Sequence, residues 1–247
     1  MKIRLLLLFS VSVSTLGAIY GSHMGYWSAG WAFLPAALGL AVLGRGVLDI
    51  GSQMFVKTEC SFVPEGRQVM LTFDDGPDPE KTPQIVALLE KYGARGVFFC
   101  IGKKIDEHPA TARLITEKGH VIGSHSYYHG NLFDLLPAHK IVEELRQTEN
   151  AIKAATGEKC VFFRPPYGVT NPNIEKALKA FRYRVVGWNL RSLDTLIHQP
   201  AKLEKRVLKR IRPGSIILLH DTAPAVLPVL ESVLVYLKEN GYRTKLP

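Results

Sequence analysis

The chain has 247 residues, with 31 Lys and Arg against 22 Asp and Glu, and so a formal charge of +9. That length suits one large domain, with or without a small appendage, and leaves little room for two domains of ordinary size. The basic balance fits anionic membranes or acidic and phosphate-bearing partners, neither zinc-finger spacing nor interleaved aromatic and basic residues points to nucleic acid, and Cys60, Cys100 and Cys160 form neither a CxxC site nor a disulfide framework.

The first 44 residues contain no acid and only Lys2 and Arg4 as Lys or Arg. Two uncharged apolar stretches, Leu5 to Gly21 and Tyr26 to Gly44, are of roughly bilayer-spanning length. No small-residue cleavage pattern follows the first. Residues 1–48 are therefore expected to form a membrane-anchoring segment of two helices in contact with membrane lipids, as in a bacterial inner membrane. Lys2 and Arg4 before it, and Arg45 and Lys57 after it, favour a cytoplasmic domain if both stretches span. Pro35, with Trp27 and Trp31, also allows the second stretch to lie in the interface. Residues 49–65 read as a linker to a folded domain at 66–247.

Within that domain, "QVMLTF" and "ARGVFFCIG" are short apolar runs that read as buried strands. Between them "PQIVALLEKYG" has a helical apolar stripe and a glycine stop. "HVIGSH" is a third strand, followed by a helix over "KIVEELRQTENAIKAATG". "VFF", "YRVVGWNL" and "SIILLH" supply further strands, with helices at "NIEKALKAF", "AKLEKRVLKRI" and "AVLPVLESVLVYLKENG", and "YRTKLP" allows a last short strand. Strand and helix alternate, so the expected architecture is a parallel α/β sheet, open or closed into a barrel.

The chemistry-bearing residues fall at strand ends, where parallel α/β folds gather their ligand sites. Asp74 and Asp75 follow the first strand in "TFDDGP". Successive strand residues face opposite ways, so one can ligate a cation while the other stays free as a base; an Asp-Gly turn with Asp75 as a cap is the plainer alternative. His125 and His129 in "HSYYH" are four apart, a spacing that brings two imidazoles to one metal if the segment is tightly turned. His220 ends an apolar strand, where burial and a neighbouring carboxylate pull its pKa in opposite directions.

"TFDDGP", "HSYYH", "FRPPYG" and "ILLHD", in that order and spacing, resemble the motif series of the polysaccharide deacetylase family, the NodB-homology group of metal-dependent carbohydrate esterases. The resemblance covers about residues 66–246 and implies a distorted (β/α) barrel with fewer than eight repeats. It implies a divalent ion, Zn²⁺ with Co²⁺ or Ni²⁺ as alternatives, held by Asp75, His125 and His129. Asp74 would be the base that deprotonates a metal-bound water, Arg164 would orient Asp74, and His220 would be the acid. Asp194 would partner His220 or Arg164, the Tyr167 N–H would serve the oxyanion site, and Tyr167, Pro166 and Leu218 would contact substrate. The chain departs from the family at "WNLRSLDT", where Arg191 and Thr195 stand in place of a frequent acid and Trp, which removes one wall of the usual groove. The implied activity is removal of N-acetyl groups from a sugar in a polysaccharide, oligosaccharide or lipid-linked glycan. Removal of a formyl or O-acetyl group is the enzymatic alternative; a non-catalytic glycan-binding module would need neither Asp74 nor His220.

Overall fold

In the computed structural model, residues 2–26 and 33–247 are described, residues 2–10 through their backbone alone. Two helices, α1 (Lys2–His23) and α2 (Phe33–Leu48), form where the apolar stretches lie; Trp27 and Trp31 fall outside the described residues. Among the described residues no helix is long and apolar enough to cross a membrane, which leaves the expected pair of spanning helices without support. The 16 residues of α2 extend only about 24 Å, short of a hydrocarbon core of about 30 Å.

The domain is built on eight strands: β1 (Gln68–Gly76), β2 (Gly96–Cys100), β3 (Val121–Ser124), β4 (Phe162–Phe163), β5 (Arg184–Val185), β6 (Leu190–Arg191), β7 (Ser215–His220) and β8 (Arg243–Thr244). Their order is β5-β4-β3-β2-β1-β7-β6, with β8 on the amino-terminal end of β1, and all pairings are parallel. The sheet curves into a half-barrel covered by α3 (Lys81–Lys91), α4 (Gly102–Glu107), α5 (Pro109–Glu117), α6 (Ala138–Thr156), α7 (Pro172–Leu178), α8 (Pro200–Leu208) and α9 (Val226–Glu239). β1 and β2 are central, buried on both faces, and accordingly read as near-continuous apolar runs. On α6 the buried positions Ile141, Leu145, Thr148, Ile152 and Ala155 recur at helical spacing, and Gly157 ends the helix at φ 76°.

The elements differ from the sequence reading in two places. "YRVVGWNL" is not one strand, because residues 186–189 cross from one sheet edge towards β7: Val186 N–H bonds to Phe163 O, Gly187 N–H to Glu59 O and Asn189 N–H to Ile216 O. The helices α4 and α5 carry no long apolar stripe, burying Ile105 on one and Ala112 and Ile115 on the other, and Pro109 separates them. Residues 49–65 pack into the domain. Glu59 pairs with Val186 and Ser61 with Ser215 across the open side of the half-barrel, and Phe55 and Val56 are buried with Phe163, Ile174 and Val185.

Phe55 tests this packing. Phe55→Ala should lower the free energy of urea unfolding by about 3 kcal/mol; a segment that hung free as a tether would give no change.

Candidate active site

Parallel pairing puts the chemistry of several strands at one level. Asp74 on β1 stands in register with His220 on β7 and Phe99 on β2, at the carboxyl-terminal rim of the sheet. Asp74 is buried, and its Oδ1 accepts a hydrogen bond from Arg164 Nη1 at 2.7 Å. Arg164 is itself fully buried, and all three of its nitrogens find acceptors: Nη1 also reaches Thr72 Oγ1 (2.8 Å), Nε bonds to Val186 O (3.0 Å) and Nη2 to Gly187 O (2.7 Å). Burial lowers the guanidinium pKa from its usual value, and the Asp74 charge and hydrogen bond oppose this.

Asp75 turns away from Asp74 at φ 70°, a left-handed conformation uncommon outside glycine. Its Oδ1 lies 3.6 Å from His125 Nε2 and 3.4 Å from His129 Nε2, and these ligand atoms lie within 4.8 Å of one another. His125 uses Nδ1 for Arg164 O at 2.8 Å, so Nε2 carries the free lone pair towards Asp75 when the ring is neutral. His129, also at positive φ (52°), has its pKa lowered to about 4, chiefly by burial and then by His125. Two imidazoles and a carboxylate converging at separations too long for direct hydrogen bonds fit a shared cation better than they fit a hydrogen-bonded cluster.

Across the pocket His220 is held by Asp194. Asp194 Oδ1 lies 2.7 Å from His220 Nδ1, and Oδ2 accepts the His220 backbone N–H at 2.8 Å. Of the two partners left open for Asp194, the structure takes His220. Burial pulls the His220 pKa down, but the Asp194 hydrogen bond and charge, with Asp74 and Asp75 behind them, outweigh it and raise the value to about 9. The imidazolium is therefore available near neutral pH with Nε2 free.

Asp74, Asp75, His125, His129 and His220 line one cavity of about 170 Å³ with Tyr167, Gly168, Trp188, Arg191, Thr195 and Leu218, while Arg164 and Asp194 stand behind it. Tyr167 sits at φ 59° and its ring lies 4.8 Å from that of His129. Leu218 is buried and lines the cavity, whereas Pro166 is buried outside the lining. Trp188 supplies an aromatic wall despite Thr195; a Cβ on Gly168 would meet its ring at 2.4 Å, so that glycine permits the approach. Two supporting residues escaped the sequence reading. Lys104 Nζ bonds to Asp75 O at 2.8 Å. Asp221, fully buried, bonds to Thr82 and crowds against Gly76. The "HD" pair marked Asp221, but nothing in the sequence marked Lys104.

An acid–base pair beside a candidate metal triad, at the carboxyl rim of a parallel half-barrel, is a site equipped for hydrolysis. The chain belongs to the polysaccharide deacetylase family, whose model matches residues 63–186. It is 32% identical over 180 residues to a peptidoglycan-N-acetylglucosamine deacetylase of Bacillus cereus, covering 71% of this chain and 65% of that one. It is 33% identical over 157 residues to a chitooligosaccharide deacetylase of Azorhizobium caulinodans, covering 63% of this chain and 74% of the other. Among solved structures, a CE4 family pseudoenzyme from Bacillus anthracis superposes with a TM-score of 0.69 at 30% identity, covering 75% of this chain and 65% of that one.

The His220 pair makes stability pH-dependent. A pKa raised from 6.5 to about 9 means that the stabilisation is fully present below pH 6.5 and is lost as pH rises through about 9. In chelator, the melting temperature of wild type relative to His220→Gln should be highest near pH 6 and converge towards pH 9.5; a difference independent of pH would refute the assignment.

Proposed function

We propose that this chain is a metal-dependent hydrolase that removes N-acetyl groups from an N-acetylated sugar of a cell-envelope or lipid-linked glycan. The observation that carries this reading is the convergence in one pocket of Asp74, oriented by Arg164, with His220, oriented by Asp194, beside Asp75, His125 and His129. A chain can keep this fold and be a pseudoenzyme, as the Bacillus anthracis neighbour is described, so the argument rests on the side chains rather than on the architecture.

Asp75, His125 and His129 would hold the ion, and two imidazoles with a carboxylate suit Zn²⁺ best. A bound divalent cation supplies Lewis acidity at the acyl carbonyl and makes water a better nucleophile near neutral pH. The acyl methyl rests against Leu218, and the chain's own groups move the protons. Asp74, with Oδ1 tied to Arg164, receives the water proton on Oδ2. The Tyr167 N–H faces the carbonyl oxygen as negative charge builds there. His220, its Nδ1 tied to Asp194, delivers a proton from Nε2 to the departing nitrogen, and acetate and a free amine result.

The reading includes a membrane location. Leu16, Ile19 and Tyr20 on α1 and Leu34, Leu38 and Leu40 on α2 are exposed, in a segment with no acidic residue. Thr170, three residues beyond Tyr167, donates its N–H to Val47 O and its hydroxyl to Gly46 O at 3.0 and 3.3 Å, which ties the end of α2 to the loop bordering the pocket. Substrate presented at a lipid surface would meet the pocket close by.

Acetate release from polymeric, oligomeric and lipid-linked N-acetylhexosamines, with formate and free amine assayed in parallel, tests the activity. Asp74→Asn should lower kcat by a factor of about 10² or more while Zn²⁺ still binds, and His125→Ala should lose ion and activity together. Activity that survives chelation and both substitutions would sink the proposal. For location, the full chain should float with anionic vesicles and Leu38→Glu/Leu40→Glu should reduce flotation; an unchanged or absent association would refute that part.

A further inference from the structure

Arg191 ends β6 on the wall of the same pocket, in register with Leu218 on β7. Among the described residues it is the only Lys or Arg lining that cavity. Its guanidinium lies 5.9 Å from the centre of the Trp188 ring, and the side chain makes no hydrogen bond or ion pair among the described residues; its backbone carbonyl is occupied by Arg206 Nη2 at 3.3 Å. The other cations beside the site are engaged: Arg164 with Asp74, Thr72 and two carbonyls, and Lys104 with Asp75 O. Stacking on an indole face leaves the N–H fork of a guanidinium free. A cation that served only the fold would be expected to meet an acid or a carbonyl, as Arg184 does with Glu59 at 2.7 Å. Thr195, which lines the same cavity, is small, and leaves room beside the guanidinium for a sugar substituent.

We propose that Arg191 is a specificity-determining residue that binds an anionic substituent, a carboxylate or a phosphate, on the sugar whose acyl group enters the pocket. The preferred substrates are then acidic N-acetylated glycans rather than neutral ones. The planar fork matches either oxyanion through paired hydrogen bonds, and Trp188 holds it in place. The inference rests on the deacetylase reading above for the identity of the acyl sugar.

The test compares metal-loaded full-length wild type, Arg191→Gln and Arg191→Lys on three substrates: a neutral N-acetylglucosamine tetramer, the same backbone bearing a carboxylate on alternate sugars, and an alkyl phosphodiester of N-acetylglucosamine. Wild type should show higher kcat/KM on one of the anionic substrates. That anionic-to-neutral ratio should fall roughly ten- to a hundredfold in Arg191→Gln, mainly through KM, with Arg191→Lys intermediate. Which anion loses more identifies the source of the charge. A wild type without anionic preference, or an Arg191→Gln that keeps the wild-type ratio, overturns the inference while leaving deacetylation standing. If no substrate is turned over, the deacetylase reading fails, and calorimetric binding of the same three sugars decides the inference alone: preferential anion binding lost in Arg191→Gln supports it, and equal binding by both proteins overturns it.

Discussion

The buried Arg164–Asp74 pair is the constraint on which the site depends. Arg164 is among the largest fully buried side chains of the domain, and desolvating two charges there costs several kcal/mol before any attraction is counted. The fold offsets that by giving the guanidinium Asp74, Thr72, Val186 O and Gly187 O as acceptors and the Phe99 ring at 4.2 Å as a platform. Those acceptors lie on β1 and on the crossing segment after β5, so one side chain fixes the spacing between the centre of the sheet and its far edge. Through its carbonyl it also fixes the His125 ring. Replacing a buried pair by apolar residues can leave a fold no less stable, whereas removing one partner strands a charge at a cost of about 3–5 kcal/mol. A chain that keeps such a pair whole is therefore keeping the Asp74 carboxyl fixed in place, which stability alone does not require.

Adjacent carboxylates acquire separate surroundings through the backbone. Asp75, His129 and Tyr167 all take left-handed φ values, and each non-glycine residue held there stores a modest strain, on the order of 1 kcal/mol or more. The turn at Asp75 swings its carboxylate to the two imidazoles while Asp74 continues the strand towards Arg164. Lys104, bonded to Asp75 O, and the Ser126 hydroxyl, bonded to His129 N–H at 3.0 Å, hold two of these turns. The strain is thus sustained by neighbours on α4 and after β3.

How much of this could be read from the sequence follows from the range of the forces involved. Strands such as "SIILLH" and helices such as α6 carry their signal in a local period, and the strand-end residues Asp74, Asp75, His125, His129, Arg164 and His220 come together because parallel topology brings strand ends together. Tertiary pairing hid the rest. Phe55 and Val56 carry no period, and only the cleft between α6, α7 and the sheet explains their burial. The break inside "YRVVGWNL" is invisible locally because its backbone bonds go to Glu59 and Ile216, far away in the chain. Thr195 suggested a missing aromatic wall, and Trp188 fills that role from a different position, which no spacing rule anticipates.

A third carboxylate completes the electrostatic argument. Asp221 lies behind Gly76, fully buried, with one oxygen bonded to Thr82 and the other without a partner. Burial raises its pKa first and most; the Thr82 hydrogen bond opposes this, Asp74 and Asp75 add to it, and the result is about 7. Ionising Asp221 is thus resisted by its burial and by the two acids in front of it. A positive charge on Asp75, His125 and His129 would lower the potential at all three carboxylates together. Lys104 and Lys81 approach this corner on backbone carbonyls of Asp75, Thr222 and Ala223, and the Lys104 charge offsets part of the rise at Asp221. Asp74 and Asp75 thus share this corner with a third, buried acid, and the triad of Asp75, His125 and His129 is the point from which a single divalent ion would act on all three.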